Sequence, residues 1–297
     1  MVHQSPRQCL GLFYSKHNMK GLLNISIVLY RTPASEWKPL VQQLLQVKSL
    51  NCIYLVDNSP EQIPEAELST LNIKRSAIQY IHSGKNLGYG AAHNIAIRET
   101  IYDEVPFHLA INSDIVVSAE AIDNLTAVMQ ANGSIGLLMP RVVDTNGELQ
   151  YLCKLLPTPM DLIRRIAFGR LGKDSRRNAR FELRQLDHSR PINAPYLSGC
   201  FMLMRTEAVH KAGLFDERFF MYPEDIDLTR RIHRDYLTLY YPSETIVHAH
   251  RQASYHSLRM LWVHASNMCR YFNKWGWFID PERKAFNSAL LKSAMAN

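Results

Sequence analysis

The stretch NISIVLYRTPASEWKPLVQQLLQVKSLNCIYLV, Asn24 to Val56, decides the fold. Asn24 to Tyr30 has the β-branched enrichment and length of a buried strand, and Thr32 and Pro33 end it. From Ser35 to Lys48 apolar residues recur at helical spacing, and Cys52 to Val56, CIYLV, is a second buried strand closed by the turn cluster Asp57, Asn58, Ser59, Pro60. Strand, helix, strand in this rhythm is a parallel βαβ unit. Ligands of such sheets bind outside the carboxyl ends of the strands, where Thr32 and Asp57 fall. Asp57 is therefore a candidate for hydrogen bonding a base or sugar, and equally a turn-forming residue.

Composition narrows the class. The chain has 297 residues, 46% apolar and 21% charged, which excludes disordered and fibrous proteins and suits one large α/β domain or two smaller ones. Five scattered cysteines without a CxxC pair argue against a disulfide framework and a structural zinc site, and fit a reducing cytoplasm. No apolar run reaches the roughly 20 residues of a spanning helix, and Leu22 to Tyr30 lacks the cleavage pattern of a signal peptide. The first twenty residues are aperiodic, and no function is assigned to this tail. The formal charge of +7 favours an anionic partner. Arg164, Arg165, Arg170, Lys173, Arg176, Arg177, Arg180, Arg184 and Arg190 concentrate the excess in a basic segment, either solvated or facing phosphate groups or an acidic membrane.

Further along, a third strand, Ile78 to His82, leads into SGKNLGYGAAHNIAIRET. Gly88 and Gly90 open a helix here, and small residues at a helix start let a diphosphate approach its N–H groups. GYGAAH matches the dinucleotide fingerprint GxGxxG except at its third glycine, where His93 stands. Phe107 to Ile111 is a fourth strand ending in Asn112, Ser113, Asp114, polar oxygens that either hold a divalent cation together with substrate phosphates or simply form a turn. Ile135 to Pro140 reads as another strand, and Ser198 and Gly199 as a turn into the buried strand CFMLM.

In FFMYPEDIDLTRRI, Phe219 to Ile232, the acids Glu224, Asp225 and Asp227 stand at a helix start. They complement the helix dipole, and the preceding aromatic run draws them toward an enclosed pocket where a carboxylate serves as general base. His256 to Trp277 mixes aromatic and basic residues on an amphipathic helix. Such a helix either packs on the domain or lies on a membrane interface. A short helical tail follows from Pro281.

The order of ISIVLYRTP, LVDNS, NLGYGAAHNIAI, INSDI, YLSGCFMLMR, FFMYPEDIDLTRRI and TIVHAHRQAS resembles glycosyltransferase family 2, and looks most like its rhamnosyltransferase-type members, over Asn24 to about Ser254. The resemblance implies an α/β fold of GT-A type, with a mostly parallel Rossmann-like sheet flanked by helices. It divides residues 21–255 into a nucleotide-sugar-binding half (21–115) and an acceptor half (116–255), followed by a C-terminal helical extension (256–297). It also implies an inverting sugar transfer, with rhamnose from dTDP-rhamnose as a candidate donor, to a saccharide acceptor built on a polyprenyl diphosphate, with a divalent metal, Mg2+ or Mn2+.

By position, Thr32, Asp57, Asn86, Gly88, Asn94, Asn112 and Asp114 would bind the donor, and Ser198, Gly199 and Glu224 would border the acceptor. Asp225, with Glu224 beside it, would be the catalytic base. Asp114 and His248 would hold the metal, His250 being an alternative to His248. Asn112 replaces the first acid of the family's DXD motif, a weaker cation donor. The expected setting is cytoplasmic, with peripheral contact on the inner face of the membrane and no nucleic-acid partner. Two competing readings are a nicotinamide-dependent oxidoreductase or epimerase, motivated by GYGAAH, and a non-catalytic protein that binds a nucleotide or saccharide. A hydrolase is disfavoured, because adjacent Glu224 and Asp225 do not straddle one bond.

Overall fold

The computed structural model describes residues 21–69, 77–161, 176–249 and 258–296. Residues 1–20, Arg164 to Lys173 of the basic segment, and His250 lie outside them.

The opening unit is β1 (Leu23–Leu29), α1 (Ala34–Leu44) and β2 (Leu50–Asp57), with β1 and β2 parallel from Leu23 opposite Leu50 to Leu29 opposite Asp57. Both strands are almost wholly buried, as expected of strands covered on two faces. After a short helix α2 (Glu65–Ser69), β3 (Ile78–His82) extends the sheet outside β2. Helix α3 (Tyr89–Tyr102) then crosses back, and β4 (Phe107–Ile111) pairs with the other side of β1. Next come β5 (Ile115–Val116), α4 (Ala119–Ala131), capped by the Ser118 hydroxyl, and β6 (Ile135–Val143).

The second half adds β7 (Cys153–Lys154), α5 (Arg176–Phe181), β8 (Ile192–Asn193), β9 (Tyr196–Leu197), β10 (Phe201–Arg205), α6 (Thr206–Ala212), α7 (Pro223–Ile232), β11 (Leu237–His248), α8 (Leu258–Trp275) and α9 (Pro281–Ala296). The main sheet runs β3-β2-β1-β4-β10-β6-β11-β5, with β8 also on β11, and a β7–β9 ribbon stands apart. Six of these strands run one way. β10, β5 and β8 run against their neighbours.

The reversal of β10 positions the site. Its entry turn meets the end of β4, where the Asn112 N–H donates to the Cys200 carbonyl at 3.0 Å. Ser198 to Cys200 therefore begin where Asn112 to Asp114 begin, at the carboxyl edge of the parallel strands. The β5–β11 pairing sets Ile115 opposite His248 at the same edge.

The C-terminal helices are bound to α7. Helix α8 turns Met268, Tyr271 and Phe272 into the core, while Trp262 near its start is 72% exposed. Arg230 on α7 is buried, grips both oxygens of Asp280 at 2.8 and 2.6 Å, bonds Glu282 at 2.6 Å, and lies 4.0 Å from the Trp275 ring centroid. Asp227, the third acid of the 219–232 stretch, is structural: it bonds Arg231, Lys274 and the Trp275 indole N–H at 2.9, 2.6 and 2.8 Å. The four cysteines among the described residues are unbridged.

Candidate active site

Thr32 and Asp57 meet in a cavity of about 390 Å³ outside the ends of β1 and β2, with Arg31, Ser59, Gln62 and Pro64 also in its wall. Asp57 is fully buried, and its carboxylate is held by the protein. One carboxylate oxygen accepts the Ser59 N–H at 2.9 Å, closing the turn, and the other accepts the Tyr80 hydroxyl at 2.7 Å. That hydroxyl accepts the Ile63 N–H at 2.8 Å, which fixes the cavity rim. Arg31 holds a left-handed backbone, φ 52°, that is costly for a side chain bearing Cβ. Bonds from Arg31 N–H to the Ser59 hydroxyl (2.8 Å) and from Tyr30 N–H to the Thr32 hydroxyl (3.1 Å) hold it there.

The start of α3 differs from the sequence expectation. Asn86 accepts the Gly88 N–H at 3.0 Å and Asn58 donates to the Gly88 carbonyl at 3.0 Å, so the turn is built as a helix entrance. The Tyr89 N–H is taken by the Phe220 carbonyl at 3.1 Å. At Gly88, φ 88°, an added Cβ would lie 2.2 Å from that same carbonyl. The glycine admits a protein segment where a diphosphate was foreseen. Asn94 likewise faces inward: it pairs with both backbone groups of Phe215, at 2.9 and 3.0 Å, and bonds Glu217 at 3.0 Å. His93 is buried with its Nδ1 2.6 Å from the Ser26 hydroxyl on β1. This polar helix–strand contact replaces the close packing that a third glycine would allow, and the dinucleotide reading of GYGAAH loses its support.

At the β5–β11 pairing, His248 Nε2 lies 3.4 Å from Asp114 Oδ1. The Gln150 amide fixes the imidazole. Its N–H donates to the His248 carbonyl at 2.9 Å, which leaves its oxygen facing His248 Nδ1 at 3.1 Å. Nδ1 therefore carries the proton in the neutral ring, and the Nε2 lone pair is directed to the Asp114 side. A carboxylate oxygen and an imidazole nitrogen at this separation fit two adjacent positions around a divalent cation whose remaining ligands come from phosphate and water, Asn112 standing two residues before Asp114. Among the described residues, no group of three or more His, Cys, Asp or Glu gathers around one point.

Glu224 and Asp225 begin α7 and are both buried. Asp225 Oδ2 accepts the Gly199 N–H at 2.9 Å and Oδ1 the Ile226 N–H at 2.7 Å. Burial pushes its pKa up to about 6, against the lowering effect of those N–H groups and of Lys154 on β7. Burial, then the Asp225 charge, raise Glu224 well above its ordinary value, and its buried Oε2 has no hydrogen-bond partner among the described residues. Tyr222, which precedes the helix, has φ 92°, another strained position at this edge.

Tyr89 joins the groups. Its hydroxyl donates to the Gly199 carbonyl, and burial and then the charges of Cys200, Glu224, Asp225 and Asp114 hold its pKa far above the phenol range. Cys200 is pushed up to about 12 by burial, then by Asp114 and Asp225. Asp114, Tyr89, Cys200, Glu224 and Asp225 thus share one electrostatic neighbourhood. Sequence reading missed Tyr89, Gln150 and Lys154. Tyr89 could have been found as the ring inside GYG at a helix start, whereas Gln150 and Lys154 carry no local signal.

The sequence pattern described as "Glycosyl transferase family 2" matches residues 35–213, a span that includes Asp57, Asp114 and Gly199 and stops before Asp225 and His248. Over 211 residues the chain is 29% identical to an "N-acetylglucosaminyl-diphospho-decaprenol L-rhamnosyltransferase" of Mycobacterium tuberculosis (strain CDC 1551 / Oshkosh), with 66% of each protein covered. It is also 27% identical to the "Low-salt glycan biosynthesis hexosyltransferase Agl10" of Haloferax volcanii, over 54% of this chain and 48% of that protein. The alignments therefore span just under two thirds of the first relative and about half of the second. Among solved structures, the fold is similar to "GalNAc-T7 with UDP, GalNAc and Mn2+" (TM-score 0.58, 15% identity, 77% of this chain and 43% of that one). It is also similar to "Mannosyltransferase PcManGT from Pyrobaculum calidifontis in complex with GDP-Man and Mn2+" (TM-score 0.55, 14% identity, 93% and 75%). At such identities the likeness speaks to the fold alone. With its parallel βαβ core, its reversed β10 and a family match over residues 35–213, this chain belongs to glycosyl transferase family 2.

Proposed function

We propose that the protein is an inverting glycosyltransferase that moves a sugar from a nucleotide-sugar donor to a saccharide acceptor carried on a lipid diphosphate, in the building of a surface polysaccharide. The observation that carries the reading is the buried Asp225, held by the Gly199 N–H at 2.9 Å, in the same neighbourhood as the Asp114–His248 pair.

In this reading the cavity around Thr32 and Asp57 takes the nucleoside, residues 21–115 supply the donor side, and residues 116–255 the acceptor side. Asp225 removes the proton of the acceptor hydroxyl as that oxygen bonds to the anomeric carbon. The bond from that carbon to the nucleoside diphosphate breaks on the opposite face, which inverts the configuration. Glu224 turns Oε2 toward an acceptor oxygen, a role consistent with the absence of a protein partner for that buried atom among the described residues. Gly199 and Tyr89 fix the carboxylate and the turn. Asp114 and His248 would hold the divalent cation, Mg2+ or Mn2+, which when bound supplies counter-charge for the departing diphosphate.

The named relative acts with L-rhamnose on a decaprenyl-diphosphate saccharide, so dTDP-rhamnose is the first donor to try. Calorimetric titration with dTDP, UDP, GDP and NAD, each with and without Mn2+, tests the reading. Metal-dependent binding of one nucleoside diphosphate, lost in Asp114→Ala, is expected. Binding of NAD alone would return the oxidoreductase, and nucleotide binding without transfer to any lipid-linked acceptor would favour a non-catalytic role.

A further inference from the structure

The loop joining α8 to α9 exposes three apolar side chains in succession: Trp277 is 38%, Phe278 84% and Ile279 86% exposed. A loose loop would fold such groups inward, but here the backbone is tied from beneath. The buried Arg283 guanidinium donates to the carbonyls of Gly276, Trp277 and Phe278 at 3.4, 3.2 and 3.5 Å, and to that of Pro157 at 3.3 Å. The Arg283 N–H donates to Asp280 at 2.9 Å, and the Trp277 indole N–H to Asn273 at 2.8 Å. Gly276 has φ 102°, and a Cβ there would lie 2.4 Å from the Ile279 carbonyl, so the turn closes tightly on itself. With the polar backbone spent inward, the rings and the isoleucine stand outward, an arrangement that is unfavourable in water unless something apolar covers it.

Charge indicates what covers it. The acids next to the loop are engaged: Asp280 and Glu282 pair with Arg230, and Glu282 also with Arg234. Lys284 and Lys292, two turns apart on one face of α9, are exposed. Beside them a cleft of about 240 Å³ has Leu155, Leu156, Phe181 and Leu291 in its wall, with Arg180 and Lys284. The one acid there among the described residues, Asp161, is turned to the Thr158 N–H and hydroxyl at 2.8 and 2.6 Å. Leu155 follows Lys154, the cation that acts on Asp225, so this surface is continuous in the chain with the acceptor side of the site. A second copy docked about a two-fold axis through the loop would set its lysines against these.

We infer that Trp277, Phe278 and Ile279 enter the headgroup boundary of an anionic phospholipid bilayer, with Lys284 and Lys292 on its phosphates. This rests on the lipid-linked acceptor reading, since it brings the site to the surface where such an acceptor lies. It places the membrane contact on the loop beyond α8, whose Met268, Tyr271 and Phe272 are turned into the core.

Co-sedimentation of the full chain with phosphatidylcholine vesicles, with and without phosphatidylglycerol, tests it, with nucleotide titration run in parallel without vesicles. Binding that requires phosphatidylglycerol is expected. It should fall roughly 30-fold or more in Phe278→Ser/Ile279→Ser, as two exposed apolar side chains no longer leave water, and also in Lys284→Glu/Lys292→Glu, with nucleotide binding unchanged in both. Equal vesicle binding by wild type and variants would overturn the inference, as would a wild-type dimer that the serine variant converts to monomer. Nucleotide binding without vesicle binding overturns the docking alone. Vesicle binding with neither nucleotide binding nor transfer leaves the docking standing and removes the transferase reading.

Discussion

Gln150 holds His248 at two points, donating to its carbonyl at 2.9 Å and facing its Nδ1 at 3.1 Å. One side chain thus sets both the path of β11 and the tautomer of the imidazole opposite Asp114. The arrangement matters only if Nε2 has a ligand to meet.

Gln150→Leu removes the acceptor that keeps the proton on Nδ1. Mn2+-dependent nucleotide binding should weaken roughly 10- to 100-fold, the usual effect of losing a group that orients a metal ligand. Chelation by EDTA should abolish the same binding in the wild type. Calorimetry with and without Mn2+ reads both, and an unchanged affinity in Gln150→Leu would remove His248 from the cation.

Asp225→Asn should reduce transfer by roughly 10²- to 10⁴-fold while leaving nucleoside diphosphate affinity nearly unchanged. An amide oxygen still accepts one of the two N–H bonds now made by Gly199 and Ile226, so the fold persists. Single-turnover transfer is the measurement, and retention of wild-type rate would mean that another group takes the proton.

The βαβ core was legible, and Asp57, Asp114, His248 and the Glu224–Asp225 pair stood out as candidates, because each sits at the end of an element with a strong period or a turn cluster. The closeness of Asp114 and His248 was not, since it comes from the pairing of Ile115 with His248 across the sheet. Helix α3 misled for a physical reason. A glycine-rich helix start advertises close approach to its backbone, but does not say whether a phosphate or the Phe220 carbonyl makes that approach. Asn94 was misplaced likewise, as a polar residue near a helix start whose partners lie in a distant loop. The reversed β10 was also hidden, because strand direction is set by the turn at Ser198 to Cys200 meeting β4, not by the apolar pattern of CFMLM.

The rate should follow the ionisation of Asp225. Burial raises this group to about 6, so kcat/KM should fall about tenfold per unit as pH drops below that value. Stability runs the other way. Between the ordinary Asp value and about 6 the folded protein binds the proton more tightly than the unfolded chain, so stability decreases as pH rises through that window. Glu224, raised likewise by burial and by Asp225, acts in the same sense. Glu224→Gln should therefore melt no lower than wild type above neutral pH while transferring more slowly. A melting point clearly below wild type there would contradict a carboxyl whose charged form is disfavoured by burial.

Gly199→Ala should separate positioning from folding. Its Cβ would lie 3.2 Å from Asp225 Cβ and 3.5 Å from the Tyr89 ring, close enough to displace the carboxylate by a few tenths of an ångström. Transfer should drop by up to ~100-fold with nucleotide affinity kept and the pH profile moved, because Asp225 loses the aim of the Gly199 N–H. An unchanged profile would mean that the turn yields instead of the carboxylate.

Arg230→Met tests how firmly the C-terminal helices serve the catalytic one. The guanidinium is the common partner of Asp280 and Glu282, and Asp280 is buried, so the substitution removes its main cation and leaves it the Arg283 N–H at 2.9 Å and a guanidinium 3.8 Å away. Removing one partner of a buried pair costs about 3–5 kcal/mol, which urea unfolding would register. Because Asn267 on α8 donates to the Met221 carbonyl at 3.1 Å, just ahead of the acids on α7, loosening the extension should also lower transfer at temperatures well below unfolding. A variant destabilised by that amount yet fully active would show that α8 and α9 brace the fold without shaping the site.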